Sequence, residues 1–215
     1  MEEIIYLTNA RLSFPHLVEP RASTDNPAAP KKYSADFIIE PSNPGFAQFM
    51  QRYQEMAVAK WGEHANQVMQ LIQADRKLRC YGSGAEKIDK KSFQPYSGYA
   101  GMVFVAANKD QMPQMIQADG KPVEAGNVMA YQALARKMYG GCYVNVALKP
   151  WLQENKHGRG VRCDLVALQF AKDGEAFGEG VADASGMFAP VVAAAFGAAT
   201  PNGLPGIPGL PSFLN

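Results

Sequence analysis

The feature that most constrains the fold is a pair of long runs in the last third of the chain. "GGCYVNVALKPW" ends at Trp151 and "GVRCDLVALQFAKDGEAF" begins at Gly160. Both are rich in β-branched and aromatic residues, and only a short polar stretch separates them. Together they predict a long antiparallel hairpin with an extended, Gly-containing connection. The connection is unusual for a surface turn. It gathers Lys149, Trp151, Lys156, Arg159 and Arg162 around Gly158, Gly160 and His157.

The remaining chain predicts further strands and few helices. "IIYLTNARLSFPHL" reads as a strand that Pro15 ends or marks as an edge. "YSADFIIE" alternates and stops at Pro41. "SNPGFAQFMQRYQEMAVAKWG" is the best helix. Ser42 or Asn43 caps it, Pro44 opens it, Gly62 ends it, and Phe46, Phe49, Met50, Tyr53, Ala57 and Trp61 share a face. A shorter helix follows over about Glu63 to Asp75. "KLRCYGSG" and "YAGMVFVAANK" read as strands, "QMIQADGKPV" holds an Asp-Gly turn, and "VMAYQALARKM" fits a short helix. Such a chain is mainly β with inserted helices. Five to seven strands around a helical segment predict a small β-barrel, of which the OB fold is one form. Composition alone does not choose it over a sandwich. Residues 1–185 are expected to form this domain. From Gly186 the chain is Gly, Pro and Ala with scattered apolar residues, too little to fold alone, and 186–215 is expected to be a flexible tail.

Cys80, Cys142 and Cys163 form no C-x-x-C pair and lie in strand-like stretches, so buried reduced thiols in a cytosolic compartment are expected. "MEEIIYLTN" does not read as a signal peptide, and no apolar run approaches the roughly 20 residues of a membrane span.

The net charge of +1 names no partner, but its distribution does more. Residues 77–162 carry thirteen Lys/Arg against six Asp/Glu, whereas both flanks are net acidic and 184–215 is uncharged. Enzyme signatures are poor. His16, His64 and His157 lack metal-ligand spacing, and neither a phosphate-binding Gly-rich loop nor a nucleophile elbow is present. The basic middle is interleaved with rings instead. It supplies Lys77, Arg79 and Tyr81; Lys90, Lys91, Phe93, Tyr96 and Tyr99; Arg136, Lys137 and Tyr139; and the hairpin set of Lys149, Trp151, Lys156, Arg159 and Arg162. Single-strand binders need this mixture, because cations track phosphates and flat rings stack on unpaired bases. Tyrosines inside strands also serve as core, and Tyr81 and Tyr143 are the first expected to pack. Trp151 stands between a stacking platform and a cap on the barrel end.

Several segments together resemble a family of bacteriophage single-stranded DNA-binding proteins. These are "ARLSFPHLVEP" with "KKYSADFII", then "GMVFVAANKDQMPQMIQADGKPV", and most specifically "MYGGCYVNVALKPWLQENKHGRGVRCDLVALQFAKDGEAFG". Tyr139, Gly141, Cys142 and Tyr143 stand at the family's strand motif, Gly158 and Gly160 in its loop, and Asp173 and Gly174 at its terminal turn. The resemblance implies an OB fold binding single-stranded DNA without sequence preference, in phage replication or recombination, in the cytoplasm of the infected bacterium. It implies no cofactor and no catalysis, and the residues themselves predict neither a metal site nor a membrane span. Phage or host replication proteins are candidate partners of the tail through Phe213 and Leu214, and a homodimer is left open. Related proteins often carry an acidic tail, and this uncharged one departs from that pattern. The rival readings are a virion or tail β-protein without nucleic-acid affinity and, second, a nuclease.

Overall fold

The computed structural model describes residues 4–22, 27–156 and 158–178. The expected tail, its boundary near residue 185 and His157 lie outside the described residues. Seven strands follow in chain order: β1 Ile5–Arg21, β2 Lys32–Ile39, β3 Tyr81–Ser83, β4 Val103–Lys109, β5 Gln114–Ile116, β6 Tyr143–Asn155 and β7 Gly158–Lys172. The helices are α1 Pro44–Trp61, α2 Ala65–Ala74 and α3 Val128–Lys137.

The sheet runs β3-β4-β2-β1-β6-β7-β5, and β4 also meets β7 in parallel at Asn108 and Asp164. That contact closes β1, β2, β4, β7 and β6 into a five-stranded ring, the expected OB-like barrel. Period-2 alternation fills it. Leu7, Leu12, Phe37, Val105, Val144, Leu148, Val161 and Leu165 are all fully or almost fully buried. The α1–α2 pair, inserted between β2 and β3, packs on β1, β6 and β7. Its start follows the expected chemistry, with the Asn43 side chain accepting from the Gly45 N–H at 2.9 Å and Pro44 in the first turn. The three cysteines are buried and free. Among the described residues no helix is long and apolar enough to cross a membrane.

Three local expectations are corrected. β1 does not end at Pro15 but runs on to Arg21, and the proline sits where the pairing with β2 slips between Ser13 and His16. Pro lacks an N–H, so it is accommodated at such an irregularity. "KLRCYGSG" is strand only over Tyr81–Ser83, because Arg76–Leu78 forms a 3₁₀ turn capped by Asp75, whose carboxylate accepts from the Lys77 N–H. The connection after Trp151 is mostly paired strand, with Trp151 opposite Arg162, Glu154 opposite Arg159 and Asn155 opposite Gly158. Antiparallel pairing satisfies the backbone whatever the side chains, so a polar composition did not force a loop.

The terminal turn is held by the strand motif. The Tyr139 hydroxyl lies 2.9 Å from the Gly174 carbonyl and accepts from the Gly174 N–H at 3.1 Å. Gly141 has φ 109°, and a Cβ there would collide with the Glu175 carbonyl oxygen. Gly141→Ala is therefore expected to destabilise the fold by about 1–3 kcal/mol, lowering Tm by roughly 3–10 °C. An unchanged thermal melt would show that the 141–175 contact is not required.

Candidate functional site

The outer face of the barrel is covered unevenly. The chain between β3 and β4 folds back over the outside of β2 and β4. There Tyr99, fully buried, packs on Ile38 and Phe104 in a small second core. Asp36 anchors this excursion. It points outward from β2, is nearly buried, accepts from the Tyr99 hydroxyl at 2.8 Å, and pairs with Lys87 Nζ at 2.6 Å. A buried carboxylate needs such partners to offset its lost hydration. Burial first, and Asp36 second, push the Tyr99 phenol well above its usual value, so it remains a donor. Lys87 in turn lies 4.6 Å from the Phe104 ring centroid.

Beyond Lys87 the face is open. A groove of about 390 Å³ is lined by Phe14, His16, Arg21, Lys32, Lys87 and Asn108, among others. Burial, and secondarily the Arg21 guanidinium, lower the His16 pKa below the usual imidazole value. Asn108 is the barrel-closing residue of β4 and stands opposite Asp164 of β7. Asp164 accepts from the Trp151 indole N–H at 2.7 Å. The groove and the hairpin therefore adjoin across the closing seam.

The hairpin's alternation decides which side chains face outward. Directly opposed residues share a face. Pro150 with Cys163, and Leu152 with Val161, form the inner side, since Cys163 and Val161 are buried. Lys149 with Asp164, Trp151 with Arg162, and Gln153 with Gly160 form the outer side. Trp151 is 39% exposed there. The Arg162 Nε donates to Gln153 at 3.0 Å. Glu154 ties the hairpin to α1, accepting from Arg159 Nε at 2.8 Å and the Trp61 indole at 3.3 Å, with Lys60 Nζ 3.6 Å away. The Arg159 hydrogen bond, then that of Trp61, hold the Glu154 carboxyl below the usual carboxylate range. Under the tip, the Arg76–Leu78 turn lies against Gly160, where a Cβ would come within 2.6 Å of the Leu78 carbonyl oxygen.

Most of the residues singled out from sequence fall on this side or near it, but several are occupied. Lys149, Trp151, Lys156, Arg159 and Arg162 are on the hairpin, and exposed Lys77 stands in the turn beneath it. Lys90, Lys91 and Phe93 are exposed on a tight loop built on Asp89. The Asp89 side chain accepts from the Lys91 N–H and the Ser92 hydroxyl, and Phe93 is 78% exposed at φ 55°. Tyr96 is half-buried. Arg79, Tyr81 and Tyr99 do not present surfaces to a ligand. The Arg79 guanidinium bonds Glu86 at 2.8 Å and the Gln73 and Tyr81 carbonyls. Tyr81 packs on Phe49 and Tyr53 of α1, and its hydroxyl donates to Gln73 of α2. Tyr139 holds the terminal turn. Arg136 and Lys137 are exposed at the end of α3, and Arg136 lies beside Pro15–Glu19 of β1. Lys87 belongs to the basic middle that sequence reading singled out, but that reading missed Phe14, His16, Arg21, Lys32 and Asn108. Most of them lie in acidic or neutral stretches, so a charge count along the chain could not find them. A ring in a polar strand before Pro15 was the one available signal.

The side thus offers flat rings and cations around a groove whose one lining carboxylate, Asp36, is paired with Lys87, which suits a flexible polyanion carrying aromatic groups. A family model described as "Enterobacter phage Enc34, ssDNA-binding protein" matches residues 3–195. "Putative protein p50" of Acyrthosiphon pisum secondary endosymbiont phage 1 is 30% identical over 181 residues, covering 83% of this chain and 89% of its own length. The single-stranded DNA-binding protein of bacteriophage Enc34 in complex with ssDNA superposes with a TM-score of 0.59 at 23% identity, over 81% of this chain and 89% of that one. A second structure of the single-stranded DNA-binding protein from bacteriophage Enc34 gives a TM-score of 0.56 at 24% identity, over 85% of this chain and 88% of that one. At these identities the superpositions establish the shared barrel fold. The family match over residues 3–195 places this chain in the Enc34 single-stranded DNA-binding protein family.

Proposed function

We propose that this protein binds single-stranded DNA without sequence preference during phage DNA replication or recombination, in the infected host cell, and that it acts by binding rather than catalysis. The observation that carries this reading is the continuity of an open groove on β1, β2 and β4 with the Trp151 face of the hairpin. The groove presents Arg21 for phosphates, together with Lys32 and Lys87, whose charges a phosphate would share with their carboxylate partners Asp110 and Asp36, and the hairpin adds Trp151 and exposed Lys156. Stacking and charge are the sequence-tolerant interactions that these rings and cations supply. Glu154 positions the hairpin by joining it to α1, a role separate from contact with DNA.

Three outcomes follow. Affinity for a labelled oligonucleotide should fall with salt, with a slope of roughly 0.7 in log K per log salt for each phosphate neutralised. A flat response, or strong preference for one base sequence, would count against the reading. Trp151→Ala should weaken binding by about 1–3 kcal/mol with little change in Tm. Because Trp61 is buried, quenching of intrinsic fluorescence on DNA addition should come from Trp151 and vanish in that variant. Lost stability with unchanged affinity would make Trp151 a cap. The third outcome concerns Glu154. Its folded pKa lies below the unfolded value, so its bracing is present above the unfolded pKa and is lost as pH falls through the folded one. Glu154→Gln at neutral pH should reproduce the acid effect, with faster amide exchange at 151–162. Equal protection in both forms would mean the hairpin does not depend on this carboxylate.

A further inference from the structure

Phe14 carries a left-handed backbone at the irregularity of β1. Its φ is 47°, in the left-handed region that side chains with a Cβ seldom enter. It also precedes Pro15, which restricts the preceding residue further. The strain coincides with the slipped pairing between Ser13 and His16. The core is not what gains from it: Leu12 and Leu17 on either side are buried, whereas Phe14 is 45% exposed. The irregular backbone instead turns the ring out to the rim of the groove. Its setting is organised. Tyr96 meets it edge-on with centroids 5.1 Å apart, Tyr99 lies 6.3 Å away, and the Lys87 ammonium stands 6.0 Å from its centroid.

From the strain, the exposure and the adjoining cation we infer that Phe14 is a stacking platform for a nucleobase of a single strand, with Lys87 beside it for the adjoining phosphate. Backbone strain kept at an exposed position is a cost that selection tolerates where the side chain acts on a ligand. Pinning by Tyr96 and Tyr99 means little freedom is lost when a base arrives. Lys87 is held by Asp36 in the unbound protein, so it is already positioned above the rim. This inference rests on the proposed single-strand binding and names a subsite within it.

The test compares Phe14→Ala, Phe14→Gly and Phe14→Trp with the unmodified full chain, using anisotropy of a labelled oligothymidylate together with thermal melts. Ala and Gly both remove the ring, but only Gly accepts the left-handed backbone. Ala and Gly should therefore weaken binding alike, roughly 5- to 150-fold, while the Gly variant melts above the Ala variant. Trp should restore most of the affinity. If affinity instead follows stability, with Gly binding like the unmodified chain and Ala weakened, Phe14 is a brace for the excursion and the inference is overturned. Unchanged affinity in all three variants overturns it as well. Failure of the unmodified chain to bind the oligonucleotide would sink the single-strand reading itself, and this subsite with it.

Discussion

Closure of the barrel between β4 and β7 is the constraint on which the rest depends. A twisted five-stranded sheet leaves two edges with unpaired backbone groups, and curling until they meet removes most of that liability. Here the meeting point is Asn108 against Asp164. Those two residues are far apart in the chain, and each belongs to a different part of the candidate surface. Asn108 lines the groove, and Asp164 holds the Trp151 indole. The same contact that completes the core thus makes one surface from two segments.

Asp36 has a comparable role one layer out. An acid on the outer face of a central strand would be poorly placed if it remained without partners. With Tyr99 and Lys87 it becomes the anchor of the β3–β4 excursion and divides the face into a covered half and an open half. The charge of the middle segment is partly consumed in this way. Arg79, Lys87 and Arg159 all lie against carboxylates. The basic excess counted along the chain therefore overstates what faces a ligand, and acidic-region residues such as Arg21, and Lys32 beside Asp110, supply part of the groove.

Much of the fold could be read directly. The hairpin, β1, β2, α1 with its Asn43 cap, and the short α3 each follow from local periodicity and capping, which need no knowledge of the remainder. The barrel needed more, because a sandwich uses the same alternation. Of the ring candidates, Trp151 and Phe93 were legible because both stand in polar stretches and both are exposed. Tyr81 and Tyr99 were not separable from them, since a tyrosine in a mixed segment reads alike whether its ring is covered or open. Phe46, Phe49 and Tyr53 of α1 and Gln73 of α2 bury Tyr81, and Asp36 of β2 claims Tyr99.

What the sequence by itself determined is the inventory: which stretches extend, which coil, and that cations and rings are concentrated between 77 and 162. These are properties of residues a few positions apart, where backbone preference and side-chain period act. Only the tertiary structure decided which of those groups meet a ligand. It turned Phe14 outward, joined β4 to the hairpin, and spent Arg79 and Tyr81 on the interior. The reason is that exposure and charge pairing depend on neighbours brought together by barrel closure, often more than fifty residues away in the chain.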